Sequence, residues 1–248
     1  QNVLAVAKHF PGHGDTDTDS HKTLPTVGGD MNRLEQVELY PYQQLSKSGL
    51  GGVMVAHLNV PAIDPSGKPT SLSTKTFDLL RNDIGFDGLS FTDALNMQGV
   101  ARDYKPGMVD LEAVKAGNDV LVFSQDVKLA KAKIKEALKN GELDTADINF
   151  SVARILAAKQ WMGLDQKKHI EPTLLPKRLM RESDQILNHN IFAEASTLLI
   201  NKNKTLPVKD LANLKIACVS AGTEVSPHFG EMLKKYTQVE YFEYSESQ

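Results

Sequence analysis

The chain has 248 residues, 41% hydrophobic and 24% charged, with a formal net charge of -3 and a sequence pI of about 6.2. That balance offers no basic face to a polyanion, and 6% aromatic residues supply no stacking platform, so nucleic acid is not an expected partner. The single cysteine, Cys218, excludes an intrachain disulfide, and no apolar run approaches the roughly 20 residues of a membrane span.

Four apolar runs read as buried strands: Val3–Ala7, Gly52–Ala56, Gly88–Phe91 and Asp119–Phe123. They lack strict alternation, which fits parallel strands covered on both faces. Helical patterns separate them. Met31–Tyr40 has Asp30 as N-cap, with Pro41 where a new helix would start. Ser73–Ile84 has Ser73 as N-cap and Gly85 as its stop. Val109–Ala116 is shorter, and Val127–Lys139 is amphipathic and ends before Gly141. The resulting β-α alternation implies an α/β fold with a parallel sheet, either half of an eight-stranded barrel or part of an open sheet. Asp147–Met162 reads as a further helix. Residues 165–182 read as a linker on their prolines and Lys-Lys-His run, and 183–248 as the beginning of a second α/β unit. That unit holds a helix over Ser183–Ala195, strands at Leu198–Ile200 and Lys215–Ser220, and a turn at Thr205-Leu206-Pro207. Cys218, amid Ile216, Ala217 and Val219, is expected to be a buried thiol. The chain opens at Gln1 on a strand-like run and stops soon after a new pattern begins, which suggests a piece of a longer protein.

The densest polar cluster runs from Lys8 to His21 and carries three histidines and three aspartates. It follows the first predicted strand, and strand ends feed the ligand site in parallel α/β folds. Three readings compete. One is a solvated acidic loop. Another is a metal site: Asp15, Asp17 and Asp19 imitate a calcium loop, but Ser20 replaces the turn glycine and Thr26 the bidentate glutamate. A zinc set from His9, His13 and His21 lacks the helical His-Glu-x-x-His spacing. The third is an acid/base pair, Asp19-x-His21, in which the carboxylate fixes the imidazole's tautomer and raises its basicity. The matching anionic nucleophile would be Asp93, at the end of the run Leu89-Ser90-Phe91-Thr92. The alternative for Asp93 is an N-cap of the next helix. His57 ends its own strand after Val53-Met54-Val55-Ala56, as a substrate contact or as a satisfied polar end-residue.

These segments together resemble the β-N-acetylglucosaminidase branch of glycoside hydrolase family 3. The resemblance rests on Lys8-His9-Phe10-Pro11-Gly12-His13-Gly14-Asp15-Thr16 with Asp19-Ser20-His21, then Val53–His57, Ser71-Leu72-Ser73, Gly85–Asp93, Ala116-Gly117-Asn118-Asp119 and Ser151–Leu156. It implies the C-terminal half of a (β/α)8 TIM-type barrel over 1–164, from about the fifth strand onward, followed by the start of an α/β sandwich. It implies that Lys8 and His9 bind sugar hydroxyls and that Asp93 attacks the anomeric carbon, and His57 joins them as a candidate substrate-binding residue. His21, oriented by Asp19, would protonate the leaving oxygen and then activate water, with retention.

The implied substrate is terminal β-linked N-acetylglucosamine in an oligosaccharide or muropeptide, with no cofactor and no metal. The implied setting is bacterial, periplasmic or exported. Alternatives are a family 3 β-glucosidase, which would use a glutamate acid/base instead of Asp19-Ser20-His21, and a non-catalytic cell-wall sugar-binding fragment. This chain departs from the pattern at Ala94, where many relatives carry a second Asp. The first half of the barrel would come from a missing segment or a second copy of the chain, and the isolated chain is expected to be nearly inactive.

Overall fold

The computed structural model describes residues 3–16, 18, 23–166, 171–222 and 228–244. The chain divides into two compact units, residues 1–169 and 170–248, which are described separately.

The first unit is α/β, built on a four-stranded parallel sheet in the order β1-β2-β3-β4: Val6–Phe10, Gly52–Val55, Leu89–Ala94 and Val120–Val122. Parallel neighbours need crossovers. α1 (Met31–Gln36) and α2 (Tyr40–Lys47) link β1 to β2, and α3 (Thr74–Asp78) precedes β3. α4 (Gln98–Ala101) and α5 (Met108–Ala116) precede β4, and α6 (Val127–Lys139) and α7 (Thr145–Trp161) follow it. Val53 and Val55 of β2 are buried against Leu34, Leu39, Tyr42 and Leu80, while Met54 between them is only half-buried. The period of two thus separates a helix-facing side from the side that carries Phe91 and Asp93 in β3.

Several boundaries differ from expectation. β1 spans Val6–Phe10 and not Val3–Ala7, so Lys8 and His9 belong to the strand itself. The anchor is Phe10, which is fully buried and edge-on to Tyr42 at 5.0 Å, whereas Val3 is exposed. The helix expected over Met31–Tyr40 is two helices. Pro41 has no N–H, so a continuous helix would leave Val37 O unpaired there, and the chain breaks and restarts with Pro41 in the first turn of α2. Asp30 caps α1 as expected, accepting from Arg33 N at 2.9 Å. Ser73 stands at the N-cap position of α3, but its hydroxyl donates to Asp64 Oδ2 at 2.6 Å. Burial would raise the Asp64 pKa. Hydrogen bonds from Ser73 and Ser66 and the charge of Lys75 outweigh it and hold the carboxyl at about 2. α3 runs on into a π-turn over Leu79–Asp83.

Gly88 marks a close approach at the entry to β3. A Cβ there would lie 2.6 Å from Gly51 O and 2.7 Å from the Phe86 ring. Gly88→Ala should therefore force strands β2 and β3 apart and cost about 1–3 kcal/mol, the range typical of overpacking. Urea denaturation should show the loss as a lower midpoint at an unchanged slope.

The second unit carries a 3-10 turn at Pro172–Leu174, then α8 (Leu175–Leu179) and α9 (Glu182–Ala195). Helical turns thus occupy part of the segment expected to be a linker. Leu198–Ile200 is not a strand: it is exposed and pairs with no neighbour among the described residues, and an extended segment without a ladder gains no strand structure. β5 (Lys215–Ala221) pairs in parallel with β6 (Gln238–Tyr244), with α10 (His228–Leu233) between them in sequence. Cys218 is buried as its neighbours suggested. No helix among the described residues is long and apolar enough to cross a membrane.

Candidate active site

Asp93 is the fifth residue of β3, near the strand's C-terminal end, so the sheet itself aims its carboxylate. It caps no helix: the next one, α4, begins at Gln98 with Met97 at its N-cap. Asp93 Oδ1 accepts from Ala94 N at 2.8 Å. Oδ2 lies 3.7 Å from Nε2 of His9, which reaches over from β1. The Asp93 side chain is 17% exposed and that of His9 30%, so both are open to a ligand from one side.

His57 lies behind this pair. It lies two residues beyond β2, is almost fully buried, and has both ring nitrogens occupied. Nε2 lies 3.0 Å from Ala94 O, which can only accept, so this nitrogen carries the proton. Nδ1 then accepts from the Ser71 hydroxyl at 2.7 Å. Asn118 Nδ2 donates to Ser71 O at 2.8 Å, extending the chain to a residue two positions before β4. Of the two roles open to His57, this geometry favours the satisfied end-residue: the ring braces the end of β3 and has no nitrogen left for a sugar. Ser71 and Asn118 lay in recognised motifs, but no role could be read for them.

Burial lowers the His57 pKa, against the opposing bond to Ala94 and the charge of Asp93. The folded value therefore lies below the ordinary 6.5. The unfolded chain binds the proton more readily, so stability is lost as pH falls below about 6.5. His57→Gln should flatten that part of a stability–pH curve, measured as urea midpoints between about pH 5 and 7.

Lys8 is exposed and, with His9, Gly12, His13, Arg33 and Glu38, lines a cavity of about 510 Å³. Among the described residues no ion pair joins Lys8 to Asp93. Asp19 and His21 lie outside the described residues. The structure thus brings His9 to Asp93, sets His57 behind it and leaves Lys8 on the cavity wall. Among the described residues no group of three His, Cys, Asp or Glu side chains could hold a metal ion.

Two features escaped sequence reasoning. Gly12 rests on Glu38, and Glu38 is ion-paired to Arg33. At the entry to β4, the Asp119 side chain is wholly buried and holds Arg81 at 2.8 Å and Arg154 at 3.3 Å. A carboxylate opening an apolar strand was the signal for the second, since such a charge needs a cation.

A parallel α/β sheet with a carboxylate near a strand's C-terminal end fits a TIM-barrel-type α/β fold, in which ligand sites lie at that end of the strands. The family model of the glycosyl hydrolase family 3 N terminal domain matches residues 1–158, and the chain belongs to that family.

Among its relatives, the beta-hexosaminidase A of Pseudoalteromonas piscicida is 33% identical over 63% of this chain and 30% of that protein. The beta-hexosaminidase of Chromobacterium violaceum is 41% identical over 65% of this chain and 45% of that protein. The solved glycoside hydrolase family 3 beta-N-acetylglucosaminidase from Paenibacillus sp. superimposes with a TM-score of 0.81 at 30% identity, over 98% of this chain and 48% of that one. The chain spans less than half the length of each of these relatives.

Proposed function

We propose that the protein carrying this chain is a retaining glycoside hydrolase that releases terminal non-reducing β-linked N-acetylglucosamine, with peptidoglycan fragments as the source. The observation that carries the reading is Asp93: a half-open carboxylate at a strand end, facing His9, in a family whose relatives are named beta-hexosaminidases. In this reading Asp93 attacks the anomeric carbon, and the glycosidic C–O bond breaks as His21, oriented by Asp19, gives its proton to the leaving oxygen. His21 then takes a proton from water, whose oxygen displaces Asp93 and restores the configuration. Lys8 and His9 hold sugar hydroxyls. His57 keeps the β3 end in place through Ala94. A histidine acid avoids a second anionic carboxylate beside the nucleophile and the 2-acetamido group.

The test compares 4-nitrophenyl N-acetyl-β-D-glucosaminide with the matching glucoside. The N-acetylglucosaminide should turn over faster, and NMR of the fresh product should show the β-anomer first. A faster glucoside removes the substrate assignment, and the α-anomer removes the mechanism.

A further inference from the structure

Gly12, two residues beyond β1, has φ +153, a conformation that favours glycine. A Cβ there would sit 2.7 Å from both Cβ and Cγ of Glu38. The backbone therefore lies flush on the Glu38 stem and cannot move inward. The Glu38 side chain is only 5% exposed, and its Oε1 accepts from Arg33 Nη2 at 2.8 Å. The same Nη2 donates to Asp15 Oδ2 at 3.1 Å, on the far side of the loop. Arg33 is itself held by the Asp30 cap of α1. One guanidinium thus ties a buried carboxylate under Gly12 to an exposed one at Asp15.

The segment between these two points carries His13. Its Nδ1 lies 2.9 Å from Thr16 Oγ1, and its ring meets that of His9 edge-on at 6.2 Å. His9 in turn faces Asp93. We propose that Arg33 and Glu38 are positioning residues for the reaction at Asp93: their ion pair seats residues 12–16 and, through His13, holds His9 beside the nucleophile. The proposal rests on the glycosidase reading for its kinetic consequence, but the seat itself is independent of turnover. A buried carboxylate that loses its partner must move or neutralise, and either lifts Gly12. Misplacing a group near the reacting centre by about 1 Å costs up to about 100-fold in rate.

The experiment uses the protein carrying this chain, with Arg33→Met, Arg33→Lys and Asp15→Ala. Arg33→Met should lower kcat about tenfold or more with KM changed less than about threefold, because a lost transition-state alignment lowers kcat and kcat/KM together. Lysine, a point charge that can still meet one carboxylate, should recover part of this. Asp15 is 64% exposed, so Asp15→Ala keeps the fold even where Arg33→Met does not. It should lower kcat about threefold at an unchanged Tm. The imidazole NMR resonances of His9 and His13 at a fixed pH read the seat directly, and both should move in Arg33→Met and Asp15→Ala. A wild-type protein without turnover sinks the glycosidase reading, and the resonances then decide the seat. Unmoved resonances, or an active wild type whose kcat survives Asp15→Ala and Arg33→Met within about twofold, overturn the proposal.

Discussion

Asp93→Asn should abolish turnover while leaving the fold intact. Among the described residues the carboxylate's contacts are with the next backbone N–H and, at 3.7 Å, with His9, so the amide removes the proposed nucleophile and little else. Loss of a nucleophile that acts with a paired acid/base costs about 1000-fold or more in kcat. Thermal unfolding should remain within a degree or two of wild type, since substitutions that break no buried network stay within about 0.5 kcal/mol. A fluorinated mechanism-based sugar should add its mass to the peptide containing Asp93 in the wild type and not in the variant. Labelling elsewhere would move the nucleophile to another residue.

Asp119→Ala should do the reverse and damage the fold before the chemistry. Asp119 Oδ2 accepts from Arg81 at 2.8 Å and from Ser90 N and Oγ, each at 2.9 Å. Arg81 also donates to Phe86 O at 2.8 Å and Gly88 O at 2.7 Å and lies over the Phe86 ring. Burial lowers the Arg81 pKa against the opposing charge of Asp119, so the cation depends on its partner. Truncating one side of such a pair costs about 3–5 kcal/mol, mostly as the penalty of the charge left behind. The double variant Arg81→Met with Asp119→Leu should recover much of it, because a buried pair is worth little more than well-packed apolar groups. Equal urea midpoints for Asp119→Ala and wild type would refute the account.

Sequence reasoning read best where physics is local. β2 and α6 lie where continuous apolarity and amphipathic spacing placed them, because burial on known faces dictates those patterns. β1 lies further along the chain than apolarity alone places it, because the polar Lys8 and His9 interrupt the apolar run that marks a strand. Asp93 was legible as a strand-end carboxylate. The role of His57 was not: its ring is claimed by Ser71, 14 residues on, and by Ala94, 37 residues on, and neither spacing has a local period. Arg33 and Glu38 were hidden for a different reason. They resemble any solvated pair on a helix surface until the fold places Gly12 on top of one of them.

Ala94 joins the brace behind Asp93 through its main chain alone. Ala94 offers its N–H to Asp93 and its carbonyl to His57 and Met97 N, and its methyl group takes no part in those bonds. Position 94 is therefore free to vary in side chain without loosening the grip on its neighbour. A lineage could exchange an acidic residue for alanine at that spot and keep the same geometry at the carboxylate.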